Sequence, residues 1–135
     1  MIKRVHHVGI AVKDLKESAA LFEKLLGIKA HMEDAPCQKV TEAIFDFGEG
    51  IEIDLLEPSA PDGTVARFLE KRGEGLHHIA FEVDDIDREL AVMEANGVQL
   101  IDREGREGVA GKIAFLHPRS VNSVLVELLQ PRKKK

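Results

Sequence analysis

Neither tryptophan nor tyrosine occurs in this chain of 135 residues, and only one cysteine, Cys37, is present. A lone cysteine excludes an internal disulfide and makes a reducing compartment the default expectation. No apolar run approaches the ~20 residues that a membrane-spanning helix requires. The N-terminus enters a strand-like pattern at once, with no secretory signal pattern before it. Together these readings lead us to expect a cytoplasmic protein with no membrane partner. An excess of positive charge is missing as well. The 19 Lys and Arg against 24 Asp and Glu give a net charge of −5, which argues against a general nucleic-acid binder. The basic run Arg132-Lys133-Lys134-Lys135 reads as a solvated tail. No low-complexity linker divides the chain, and 44% hydrophobic residues suffice for one core.

What the chain does have is an internal repeat. The stretch VHHVGIAVKDL, from Val5, returns as LHHIAFEVDDI, from Leu76. Each copy runs into a helical stretch that stops at a glycine, Gly27 or Gly97, and each half closes with an apolar strand carrying one acid, IEIDLLEP or VLVELLQP. The two halves thus offer His7 with Asp54, and His78 with Glu127. Two histidines and two carboxylates at equivalent positions of a duplicated unit suggest one metal site on a pseudo-twofold axis.

Periodicity supports this placement. Val8, Ile10 and Val12 share one face of the first strand, whereas Val5, His7, Gly9 and Ala11 share the other. In the second copy Ile79, Phe81 and Val83 oppose His78, Ala80 and Glu82. His6 and His77 fall on the packing faces and read as structural. Asp14 and Asp85 are suited to cap the helices that follow, whose stripes are Leu15, Ala19, Phe22 and Leu26, and Ile86, Leu90 and Met93. Further strands are expected over Val40–Phe47 and Ile51–Leu56, and over Lys112–Leu116 and Val121–Gln130, with a short helix from Thr64 to Arg72 ended by Gly73. The order is β-α-β-β-β, a connecting helix, then β-α-β-β-β again. Strand parity turns Asp54 away from Ile53 and Leu55, and Glu127 away from Val126 and Leu128. Each acid therefore shares its histidine's kind of face. The alternative for any one of these residues is an incidental, solvated position.

The βαβββ duplication, with HHV near the N-terminus, GLHHIAFEVDD in the middle and VLVEL near the end, resembles the vicinal oxygen chelate superfamily. PSAPDGTVARFLEKRGEGLHHIAFEV and FLHPRSVNSVLVELLQP are most similar to the methylmalonyl-CoA epimerases within it. The resemblance implies an α+β fold of paired βαβββ modules forming a cup-shaped half-barrel. It would be a single domain over residues 1–135, with modules of about 1–60 and 74–135. It also implies a divalent metal held by His7, Asp54, His78 and Glu127, and interconversion of (R)- and (S)-methylmalonyl-CoA. Members of the family usually carry Gln or Glu where this chain has Asp54, whose carboxylate reaches one methylene less far.

The residue types agree with that chemistry. Epimerisation removes the proton between a thioester and a carboxylate and returns one on the opposite face. A Lewis acid stabilises the enolate as charge develops, and inversion calls for a base on each face. Glu127 is one candidate base. Glu42, in KVTEAIF, resembles the position of the second, although its grouping with Ile44 and Asp46 leaves its direction open. Mixed imidazole and carboxylate ligands suit cobalt, taken first, or manganese, nickel, iron or zinc, better than calcium. Arg103, Arg106, Lys112 and Arg119 either meet coenzyme A phosphates or are solvated surface. The glycine-rich GREGVAG matches no phosphate-binding fingerprint and reads as a flexible lid or a turn. Other readings of the same fold are a glyoxalase I-type lactoylglutathione lyase, an extradiol dioxygenase, which the lack of tyrosine disfavours, and a non-catalytic small-molecule-binding protein. A homodimer is expected, because modules of this kind leave exposed sheet edges.

Overall fold

The computed structural model describes residues 1–133. These residues form two compact units, one of His7–His77 and one of Met1–His6 with the chain from His78 onward. The class is α+β, and each repeat folds as βαβββ, as the sequence led us to expect.

In the first unit, β1 (Ile2–Ala11, entering at His7) is followed by α1 (Leu15–Leu26), β2 (His31–Ala35), β3 (Val40–Asp46), β4 (Glu52–Pro58) and α2 (Thr64–Arg72). The strands lie in the order β2-β3-β4-β1, antiparallel except for the parallel β4–β1 pair that the α1 crossover requires. Asp14 starts α1 by accepting a 3.0 Å hydrogen bond from the Glu17 amide, and Gly27, at φ 73°, ends it. The apolar stripe of α1 packs Leu15, Ala19, Phe22 and Leu26 on Ala43, Phe45 and Leu55. This packing fixes which face of the sheet is core, and so which side chains point the other way.

The second unit repeats the plan with β5 (Gly75–Val83, entering at His78), α3 (Ile86–Ala95), β6 (Arg106–Glu107), β7 (Gly111–Leu116) and β8 (Val126–Pro131). Its order is β5-β8-β7-β6. Here α3 lays Ile86, Leu90 and Met93 on Val83, Ala114, Leu116, Val126 and Leu128. One device recurs in both repeats. Glu57 accepts a 2.8 Å hydrogen bond from the Leu15 amide, and Gln130 a 2.9 Å bond from the Ile86 amide. Each occupies an unsatisfied donor of a helix's first turn and ties that turn to the module's last strand.

Two local expectations change and a third is decided between its alternatives. The last strand begins at Val126 rather than Val121, because Asn122 and Ser123 adopt left-handed φ of 57° and 67° and the Ser123 amide turns back to the Pro118 carbonyl at 2.8 Å. The glycine-rich segment is a tied turn, not a loose lid, with the Gly108 amide 2.7 Å from the Gly111 carbonyl. Arg132 is no free tail residue: it donates to the carbonyls of Gly108, at 2.9 Å, and Val109, and pairs with Glu107. Lys134 and Lys135 lie outside the described residues. At Gly111 a β-carbon would sit 2.1 Å from the Gln130 carbonyl oxygen, so the β7–β8 approach admits only glycine there.

Candidate metal centre and base

In the first unit, register settles which side chains share the face opposite α1. His7 pairs with Glu52 across β1–β4, Ile44 with Asp54 and Glu42 with Leu56 across β3–β4, and Glu33 with Glu42 across β2–β3. Ala43, Phe45, Ile53 and Leu55 belong to the core. His7, Glu33, Glu42 and Asp54 therefore all lie on the non-core face. The direction of Glu42, open from sequence alone, is thereby fixed.

His7 Nε2 lies 3.8 Å from Asp54 Oδ2, and both side chains are buried. The second unit repeats the arrangement. His78 Nε2 lies 3.6 Å from Glu127 Oε1, again buried, on the face opposite Ile79, Val126 and Leu128. Both separations exceed hydrogen-bond length. They approach the spacing of adjacent ligands on a metal whose bonds run about 2.0–2.2 Å. As a donor set, one nitrogen and one oxygen per repeat suit a divalent transition ion.

Glu42 is 7% exposed. Burial, reinforced by the charges of Glu33 and Glu52, pushes its carboxyl up to about 7. The equivalent position of the second repeat, found by matching Ile44↔Asp54 with Phe115↔Glu127, is Ile113. The duplication is thus broken where an ordinary core would keep an apolar residue and the first repeat holds a buried acid. Burial and then Asp46 also raise Glu52.

His77 behaves as a structural histidine. It meets the Phe68 ring edge-on at 5.1 Å, and burial pushes its imidazole down to about 4, so it is neutral near pH 7. Of the four candidate coenzyme A cations, Arg103 pairs with Glu94 at 3.7 Å, and Arg106 pairs with Asp102 at 3.3 Å. The Lys112 and Arg119 side chains are exposed. Sequence reasoning missed Phe115, whose ring meets His78 edge-on at 6.0 Å while the Arg106 guanidinium covers it at 5.6 Å. Its parity with Glu127 across β7–β8 was the available signal. Glu33 was missed too, because residues had not been assigned to β2.

The Glyoxalase/Bleomycin resistance protein/Dioxygenase superfamily is the family whose sequence model matches, over residues 6–116. The ethylmalonyl-CoA/methylmalonyl-CoA epimerase of Cereibacter sphaeroides is 41% identical, covering 96% of this chain and 99% of its own. The mitochondrial methylmalonyl-CoA epimerase of Homo sapiens is 36% identical, covering 94% of this chain and 73% of its own. A variant of the Streptomyces coelicolor methylmalonyl-CoA epimerase, solved in complex with 2-nitronate-propionyl-CoA, superposes with a TM-score of 0.90 at 35% identity, covering 98% of this chain and 100% of that one. The chain belongs to this superfamily and, within it, to the methylmalonyl-CoA epimerase family of isomerases. Among the described residues no helix is long and apolar enough to cross a membrane.

Proposed function

We propose that this protein epimerises (R)- and (S)-methylmalonyl-CoA with a divalent metal held by His7, Asp54, His78 and Glu127. Cobalt is the first choice of metal, with manganese, nickel, iron and zinc as alternatives. When bound, the metal supplies positive charge beside the thioester oxygen, where negative charge develops as the α-proton leaves. The rest falls to the protein. One carboxylate takes the α-proton, the electron pair delocalises onto the thioester as an enolate, and a protonated carboxyl on the other face returns a proton to the same carbon. Glu42 and Glu127 are the two groups. A carboxyl near 7 is matched to both accepting and returning a proton at neutral pH.

The observation that carries this reading is a buried, raised carboxyl on the sheet face that also bears His7 and Asp54. The relatives' names and the acyl-CoA analogue bound to the Streptomyces protein support the substrate. Metal-loaded protein given (2S)-methylmalonyl-CoA should yield the 2R epimer, read by chiral chromatography, and should leave the glutathione hemithioacetal of methylglyoxal unchanged. The opposite pattern would assign it to glyoxalase I-type chemistry. The proposal also covers a single functional domain of two modules, a cytoplasmic setting and a homodimer. Light scattering should give twice the chain mass of 15.0 kDa at micromolar concentration, and a monomer would remove the dimer without touching the chemistry.

A further inference from the structure

If Glu42 is a base, as the preceding reading has it, each turnover in one direction leaves it with a proton to gain or lose. The carboxylate that accepted is protonated and the one that donated is bare. Before the same epimer can react again, both must be reset through solvent. Glu42 is 7% exposed, so its reset needs a route.

The strand β2 supplies one. Glu33 is the registered partner of Glu42, and side chains directly opposite in an antiparallel pair share a face with β-carbons about 4.5–5.5 Å apart. The Glu33 side chain is 37% exposed, and its Oε1 lies 3.0 Å from Nε2 of His31, which is 69% exposed. His31 holds the same face two residues along, registered with Ile44. The other carboxyl facing Glu42 is Glu52 on β4, with Asp46 beside Glu52 in turn. Glu52 is itself half-buried, registered with His7 and two residues from Asp54, and the Asp46 carboxyl beside it is exposed. The Glu33 side ends on a well exposed imidazole 3.0 Å away, a side chain suited to passing protons near neutral pH, whereas the Glu52 side is followed by a second carboxyl.

We propose that Glu33 and His31 form the proton outlet of Glu42. The Glu42 carboxylic acid passes its proton to the Glu33 carboxylate, directly or across one water. Glu33 passes it to the neutral His31 imidazole, and the imidazolium releases it to solvent. Glu33 and His31 end as they began and Glu42 ends as the carboxylate, ready to accept again; the reverse sequence loads Glu42 with a proton for the opposite direction. Neither residue touches the substrate; both act through Glu42.

Metal-loaded Glu33→Gln, assayed with both epimers at fixed pH and ionic strength, tests this. Its kcat should fall about tenfold with KM held, short of the ~10²–10⁴-fold loss of a general base. That kcat should then climb as a non-chelating buffer such as MOPS is raised, because the buffer replaces the lost relay, whereas the parent stays flat. His31→Gln should show a smaller loss with the same buffer rescue, and it leaves the carboxylate in place should Glu33→Gln fold poorly. A parental kcat in Glu33→Gln overturns the outlet. So does a loss that buffer does not relieve, which marks a merely structural role. The reading beneath is tested apart. An active Glu42→Gln removes base and outlet together, while an inactive Glu42→Gln beside an unaffected Glu33→Gln removes the outlet alone.

Discussion

Glu42→Gln should lose epimerisation by roughly 10²–10⁴-fold, the scale of a lost general base, and at the same time become more stable than the parent at pH 8. The two effects share one cause. The Glu42 carboxyl titrates near 7 in the fold because it is buried beside Glu33 and Glu52, against an ordinary value of 4.5. Between those values the folded chain binds more protons than the unfolded one, so stability falls as pH rises from about 4.5 to 7 and is level above. At pH 8 the parent carries the full cost of the buried charge. Glutamine keeps the shape and removes that cost, a gain of about 1–3 kcal/mol on the scale of pKa linkage. At pH 4, where Glu42 is protonated in both states, the gain should vanish. Urea melts at the two pH values, with a rate assay, check both parts. A variant with parental turnover and parental stability at pH 8 would make Glu42 an ordinary strand residue.

The second large effect concerns the histidines. Parent protein should carry about one divalent metal per chain by elemental analysis, and the His7→Ala, His78→Ala double variant should carry almost none. Each imidazole supplies a ligand nitrogen, and the carboxylates left behind are weak, nonselective ligands for a transition ion. Because a metal bound to the folded state stabilises it by mass action, a chelator should lower the parent's melting temperature and leave the double variant's unmoved. Full occupancy in the double variant would take His7 and His78 out of the metal site.

Much of this was legible in the residues because the chain states its plan twice. Alternation in VGIAV and IAFEV placed His7 and His78 on the non-core face, and the same parity placed Asp54 and Glu127; in each unit the structure brings the histidine and the acid within 4 Å. Asp14 and Asp85 cap the helices as their positions suggested. Duplication helps because a pattern that is weak once is informative when it recurs at the same register. Where the repeat breaks, prediction faltered. The sister of β2 is a two-residue strand, β6, so no second copy announced Glu33. Glu42 has no acidic counterpart, since Ile113 stands in its place, and only strand register could orient it. Val121 and Val124 fit a strand, but Asn122 and Ser123 between them turn in left-handed backbone, which Asn tolerates and which the strand expectation passed over. The exchange of Glu57 for Gln130 hides a shared task, because either side chain can accept a helix amide.

The central claim is that this chain labilises the α-proton of methylmalonyl-CoA from both faces of the carbon. Proton NMR in D₂O tests it most directly, since the methyl doublet becomes a singlet when deuterium replaces the α-proton. Metal-loaded parent should collapse the doublet of both epimers, and Glu42→Gln only that of the epimer whose proton faces Glu127. A doublet that persists with metal-loaded parent as long as it does without protein would contradict the account.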